Sequence, residues 1–386
     1  MLSARRSARF SWNYVSALGG FRVVLIAALL ALATVGPEVR ALMAQSLADA
    51  YLQVSVFVAL TLGAIYLIEQ RSKTNMAALL NRHRRWQVPA AALLGALPGC
   101  GGAVAVVTQY VQGSISFGAL VAVLTATMGD AAFLLLASEP MTGLAVFALG
   151  TVVGTASGGI VDAAHAPGFM RIDRPEMARV MREVGFNRRN PLQPVWIILF
   201  FPGVVLGFLS LLQIDTDALF GPLRIYEPTQ WIGLAGATLA LSMWLLDPTQ
   251  RFDPGVARYR SWVDRVVNAT NFVTVWVVVG FLVYELGIHF TGVDLATWFD
   301  TWAPLVPLVA VLVGFLPGCG PQIIVTTLYI SGALPLSAQL GNAISNDGDA
   351  LFPTIALAPR AAVLATLYSG VPALIVAYGW FWLAGS

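Results

Sequence analysis

Charged residues are scarce in this 386-residue chain: 11% are Asp, Glu, Lys or Arg, less than half the roughly 25% of a soluble domain. Together with 58% hydrophobic residues and a mean hydropathy of +0.75, that shortage excludes a water-soluble globular fold and points to an integral membrane protein. The formal net charge is only +2, and the arginines sit in short segments beside apolar runs, so there is no basic face for a nucleic acid. The lipid bilayer is the implied partner. No G-x-x-x-x-G-K-[S/T] loop occurs, which removes the usual phosphate cradle and leaves an ion gradient or a separate subunit as the energy source. Histidine is rare, and His83 and His165 lie in polar segments without metal-ligand spacing.

Apolar stretches near the ~20-residue spanning length recur at 21–35, 51–68, 117–137, 141–161, 195–212, 231–246, 267–287, 336–357 and 361–383, which predicts about nine spans. Arg5, Arg6 and Arg9 ahead of the first run would also suit a cleaved signal peptide, but the number of spans that follow favours a first span. Short basic loops stay cytoplasmic. By that rule the N-terminal tail (with Arg22), the 71–85 loop, the 162–194 loop and the 247–265 loop are inside. The loops holding Glu38, Asp49, Asp215, Asp217, Glu227, Asp294 and Asp300, with only Arg40 and Arg224, are outside.

Two inside loops must be separated by an even number of crossings, yet three apolar segments lie between Arg85 and Asp162. The odd one holds Cys100. Its arms, 88–97 and 103–110, are each about half a span at 1.5 Å per residue, and between them stands Pro98-Gly99-Cys100-Gly101. Proline and glycine are what a hairpin tip inside a bilayer requires, and such broken backbone survives only against protein or a wet cavity. The other cysteine, Cys319, stands in the same setting, Pro317-Gly318-Cys319-Gly320, and the charge count brings its hairpin in from the opposite side.

Setting residue n against n+219 aligns the two tips and much else. Thr108, Tyr110 and Gly113 match Thr327, Tyr329 and Gly332, and Gly129, Asp130, Ala131 and Phe133 match Gly348, Asp349, Ala350 and Phe352. The expected fold is therefore an all-α polytopic membrane protein of inverted-topology repeats. Residues 1–161 form the first repeat, with a cytoplasmic-side hairpin at 88–113; 162–229 form an arginine-rich cytoplasmic loop and a linker span; 230–386 form the second repeat, with an outer-side hairpin at 304–332. Folds of this kind place the substrate near the midplane, between interrupted helices.

Asp130 and Asp349 each follow a cysteine by thirty residues within an apolar run, and no Lys or Arg occurs in 88–137 or 304–359. An intramembrane carboxylate is costly unless paired, protonated or wet, so a bound cation or protons must compensate it. Competition between the two supplies a coupling mechanism. The second repeat adds Asn342, Asn346 and Asp347 where the first has Val123, Thr127 and Met128. Cys100 and Cys319 as ligands with Asp130 and Asp349 form a mixed sulfur and oxygen set that suits borderline or soft metals more than magnesium. The plainer readings are carboxylates bonded to backbone at a kink and cysteines that merely fit a tight turn; helix N-termini at the tips would instead favour an anion. Gln322, Thr108, Thr327 and Gln109 offer further neutral oxygens, though such groups also bond to their own helix. Glu285 and His289, at i and i+4, are candidate outer ligands or ordinary interfacial residues.

The paired PGCG tips, each followed by Gly-Asp-Ala thirty residues on, resemble the family of ten-span heavy-metal exporters, related by name to organoarsenical permeases and labelled manganese transporters. The resemblance covers nearly the whole chain. It implies a non-enzymatic efflux permease of the bacterial inner membrane, with the cysteine and aspartate motifs as working residues and no permanent cofactor. The charge pattern puts the N-terminus in the cytoplasm and the C-terminus outside. The leading expectation is a proton-coupled exporter of a divalent, manganese-like cation working by alternating access. Thiol-based efflux of arsenite or an organoarsenical is the alternative. An intramembrane aspartyl protease, with two carboxyls sharing a proton, and a passive channel are more remote, and a homodimer stays open as the assembly.

Overall fold

The computed structural model describes residues 20, 22–72, 84–111, 113–166, 168–170, 190–212, 214–246, 261–292, 295–299 and 302–384. Arg5, Arg6, Arg9, Lys73, Arg82, His83, the arginines from Arg171 to Arg189 and from Arg251 to Arg260, Asp294 and Asp300 lie outside the described residues. No strand occurs among the described residues; the chain is helical almost throughout.

The first half contains α1 (Arg22–Val35), α2 (Pro37–Asp49), a π-helical turn (Ala50–Ser55), α3 (Val56–Ser72), α4 (Arg84–Gly95), α5 (Gly101–Val111), α6 (Phe117–Ala126), α7 (Ala131–Ser138) and α8 (Pro140–Ala164). Helix α9 (Gln193–Leu211) stands where the linker span was expected, and α10 (Pro228–Leu246) follows it at the start of the second half. The second half contains α11 (Trp262–Thr291), α12 (Val306–Gly314), α13 (Gly320–Ile330), α14 (Leu336–Ser345), α15 (Leu351–Leu357) and α16 (Pro359–Ala384).

Among the described residues six helices are long and apolar enough to cross a bilayer: Pro37–Ile68, Pro140–Ala164, Gln193–Leu211, Pro228–Leu246, Trp262–Thr291 and Pro359–Leu383. The pair α6 and α7, bent by 41°, makes a seventh if counted as one span. Nine continuous spans were expected, and backbone chemistry accounts for the difference. The first run stops at Gly36, whose backbone is fully extended before Pro37. The expected outer loop carrying Glu38, Arg40 and Asp49 is instead helix α2. The 117–137 and 336–357 runs are split, because Thr127 and Asn346 are extended and Gly129 and Gly348 take φ of 52° and 54°, a conformation that cannot continue a right-handed helix. Arg22 is not a free tail charge: it is buried, donates to the Leu245 carbonyl at 3.1 Å, and lies over the Trp244 ring at 4.3 Å, pinning α1 to α10.

The surface is that of a membrane protein. On α16 the large residues Val363, Leu367, Val371 and Ile375 point outward while Ala362, Ala365, Ala373 and Ala377 are buried, the reverse of a water-soluble helix. Small residues inside allow close helix contact, the main source of association in lipid. One such close contact joins α8 to α6. A β-carbon on Gly158 would stand 2.3 Å from the Gly118 carbonyl oxygen, and one on Gly154 2.6 Å from the Ala122 oxygen. Asp162 closes this seam by accepting from the Gly118 amide at 2.8 Å and from Ser116 Oγ at 2.6 Å. Gly158→Ala is expected to force the two helices apart at a cost of about 1–3 kcal/mol, typical of overpacking. Gly159→Ala, whose β-carbon meets nothing within 4 Å, is expected to leave stability unchanged; thermal unfolding of the two variants in detergent tests the contrast.

The repeat read from sequence is present in the helix boundaries. α5 and α13, and likewise α6 and α14, begin and end at positions offset by the same 219 residues. Ser55 Oγ and Thr274 Oγ1, a pair with that offset, hydrogen-bond to each other at 2.7 Å. Equivalent residues that touch one another lie on a two-fold axis, so an axis relates the halves and passes between α2–α3 and α11.

Candidate metal centre

Each half brings its cysteine and its aspartate together by the same construction. In the first half α4 ends at Gly95 and the chain doubles back, so that Gly102 at the start of α5 packs on the Leu94 carbonyl. The turn between them presents Cys100. Gly99 at the tip takes φ 87° and donates to the Gly129 carbonyl at 3.1 Å, tying the tip to the break between α6 and α7 where Asp130 stands. A β-carbon on Gly99 would lie 3.9 Å from Asp130 Oδ1 and one on Gly318 3.9 Å from Asp349 Oδ1. The second half thus reproduces the arrangement with Cys319 and Asp349.

Across the axis the two constructions meet. One ligand atom each from Cys100, Asp130, Cys319 and Asp349 lies within 4.8 Å of all the others. The sulfurs are 3.4 Å apart, and both thiols donate to Asp349 Oδ2, each at 3.0 Å. All four side chains are buried, at 4% exposure or less. Neither oxygen of Asp130 makes a well-formed hydrogen bond, although the Cys319 thiol is close enough to interact with it, so this buried carboxylate is incompletely satisfied. A tetrahedral ion with zinc-like bond lengths needs ligand atoms about 3.3–3.8 Å apart, so small side-chain rotations would close this set on a metal.

The other predicted residues divide clearly. Asp347 is buried outside this set of four, with its carboxylate accepting from Thr366 and, at 3.4 Å, from Ser369 on α16. Asn346 Oδ1 accepts from the Gly348 amide and shapes the break before α15. Asn342 donates to the Ala310 carbonyl at 3.0 Å, fastening α14 to α12. Thr108 donates to Val104 within its own helix at 2.8 Å. Gln109 is buried with Oε1 unpartnered, whereas Thr327 is exposed. Gln322 is buried with neither amide atom partnered. The first arms end at Gly95 and Gly314, the tip prolines Pro98 and Pro317 lie within the turns that follow, and Gly101 and Gly320 begin the second arms. Gly101 leaves room for Thr61 of α3.

The tip of the second hairpin borders a cavity of about 210 Å³ whose walls include Pro317, Gly318, Gly320, Asp49, Tyr284 and Glu285. Glu285 thus shares a cavity wall with Asp49, which lies on α2 and not in the expected loop, while His289, one turn along the same helix, is exposed with its ring 5.2 Å from Phe290. A second cavity of about 950 Å³ lies at the base of the first hairpin, lined by Arg85, Gln87, Tyr110, Asp162 and His165 among others. His165 shares a hydrogen bond with Tyr368 there, at 3.2 Å.

Neither a curated protein nor a solved structure matches the chain. A family does match, from residue 38 to residue 384, and so takes in both tips, both breaks and the helices that connect them. This chain belongs to that family, whose description is "Putative, 10TM heavy-metal exporter".

Proposed function

We propose that the protein is a proton-coupled secondary transporter that exports a divalent heavy-metal cation across the inner membrane, with the Cys100–Asp130–Cys319–Asp349 set as its carrier site. The observation that carries this reading is the convergence of four buried acidic side chains in segments that hold no Lys or Arg. Entry of one divalent ion in exchange for two protons leaves the charge of such a site unchanged, which avoids the large cost of net charge at low dielectric. Alternating access follows from the axis: each half contributes one thiol and one carboxylate, so small rotations of the halves could offer an equivalent ligand set to either face. In this reading the two tips are re-entrant hairpins from opposite leaflets, and the cavity with Asp49 and Glu285 is the outer approach.

Manganese, a hard ion, remains a candidate through the carboxylates. Two sulfurs in the same set favour softer divalent ions such as zinc or cadmium. Flux and proton movement measured on reconstituted protein with a metal panel test the proposal. In the Cys100→Ser, Cys319→Ser variant, zinc and cadmium transport is expected to fall at least 100-fold and manganese transport by much less. The 3.4 Å approach of the two thiols also favours a second reading, efflux of a trivalent arsenical. Arsenical flux lost in that variant, with no divalent flux in the wild type, would establish the second reading in place of the first, and metal flux without proton movement would indicate a channel.

A further inference from the structure

Gln322 is the buried polar side chain that the four-ligand site leaves unexplained. It lies on the first turn of α13, just past Cys319, with 0% exposure. Neither Nε2 nor Oε1 has a hydrogen-bond partner. Other buried amides of this half are tied down: Gln339 exchanges hydrogen bonds with Thr326 at 3.1 and 3.2 Å, and Asn342 donates to Ala310. Leaving a buried amide without partners is costly, so one kept in this state beside a ligand set calls for an occupant.

Geometry identifies the space it faces. A β-carbon placed on Gly129 would lie 2.8 Å from Cys319 Sγ, 3.1 Å from Gln322 Oε1 and 3.7 Å from Cys100 Sγ. The amide oxygen and both sulfurs therefore border one small volume, kept free because residue 129 has no side chain. The offset of 219 residues maps Gln322 onto Ala103, whose methyl group can donate nothing. The repeat supplies four ligands in symmetric pairs and a fifth oxygen from one half only.

We propose that Gln322 Oε1 is the fifth ligand of the transported ion, so that the site is a two-sulfur, three-oxygen set. This rests on the carrier-site reading above and refines it. Three donors then come from the second half, Cys319, Asp349 and Gln322, against two from the first, so the ion stays with the second hairpin when the halves separate. A neutral amide oxygen adds a ligand without adding charge, which favours a divalent ion able to take five ligands over a trivalent arsenical bound by thiols alone.

X-ray absorption at the zinc edge of the full-length protein loaded with Zn²⁺ alone, combined with affinity by chelator competition, tests the assignment. The wild type is expected to show two sulfur and three light-atom ligands. Gln322→Leu should lose one light-atom ligand and about 10–100-fold in affinity, and Gln322→Glu should restore both, which a purely structural role for the amide would not do. A wild-type shell of two sulfurs and two light atoms overturns the fifth-ligand assignment while leaving the four-ligand site intact, and that count decides even if the leucine variant does not fold. Equal losses in the leucine and glutamate variants, with an unchanged shell, overturn it as well. A wild-type shell without sulfur overturns the carrier site itself.

Discussion

Asp349→Asn is expected to lower the affinity for zinc or cadmium by about 10²–10³-fold. Asp349 Oδ2 is the atom on which both thiols converge, at 3.0 Å each, so it is the geometric centre of the set. Removing one charged member of a buried group costs about 3–5 kcal/mol, and each 1.4 kcal/mol is tenfold in affinity. Asp130→Asn should weaken metal binding comparably, because it removes the same charge. The metal-free proteins should differ. Asp349 accepts two well-formed thiol hydrogen bonds, whereas the Asp130 oxygens accept no well-formed one, so asparagine at 349 is expected to lower the unfolding temperature without metal and asparagine at 130 to leave it unchanged or raise it. Chelator competition and thermal unfolding of both variants measure the two effects. Wild-type affinity in the 349 variant would remove Asp349 from the site.

The four side chains that converge were legible before the fold because the pattern is written twice. A Pro-Gly-Cys-Gly tip with an aspartate thirty residues later could be coincidence once; at the same offset in two halves it identifies Cys100, Asp130, Cys319 and Asp349 together, and the axis that produces the repeat also brings the copies into contact. The same offset relates Ser55 to Thr274, a pair that the sequence does not single out because hydroxyls in apolar runs are common and usually bond to their own helix. Hydropathy could not reveal the breaks at Thr127–Asp130 and Asn346–Ala350. Burial there is complete on every face, and the polar residues at the breaks, Asn346, Asp347 and Asp349 above all, read as a site within a continuous span and not as the point where the backbone leaves the helix. The repeat singles out Asp349, which matches Asp130, over Asp347, which matches Met128, but it does not say what Asp347 binds. Two residues apart and equally buried, they differ in their partners on remote elements: Thr366 and Ser369 for one, the two thiols for the other. Charge counting assigned α2 to a loop because Glu38, Arg40 and Asp49 interrupt its hydropathy, although a helix carries isolated charges easily wherever its other face is packed.

Gly129→Ala and Gly348→Ala form a matched pair that isolates the space the ion needs. The two glycines are equivalent in the repeat and take nearly the same positive φ, 52° and 54°, so alanine incurs the same backbone penalty at either place, about 1–2 kcal/mol. Only their surroundings differ. At 348 the nearest atoms to a new β-carbon are Asn346 Oδ1 and Thr127 Cγ2, both 3.9 Å away, an ordinary contact. At 129 the methyl group would press on Cys319 Sγ at 2.8 Å and on Gln322 Oε1 at 3.1 Å, displacing ligand atoms from the positions that make the set converge. Both variants are therefore expected to lose similar thermal stability without metal, while Gly129→Ala alone loses zinc binding, by about 100-fold if the displaced thiolate is worth what a buried charged partner is worth. Binding loss in both variants alike would mean that the bends themselves, and not the volume between the sulfurs, control the site. Retained binding in Gly129→Ala would show that the ion sits elsewhere among the four acidic groups.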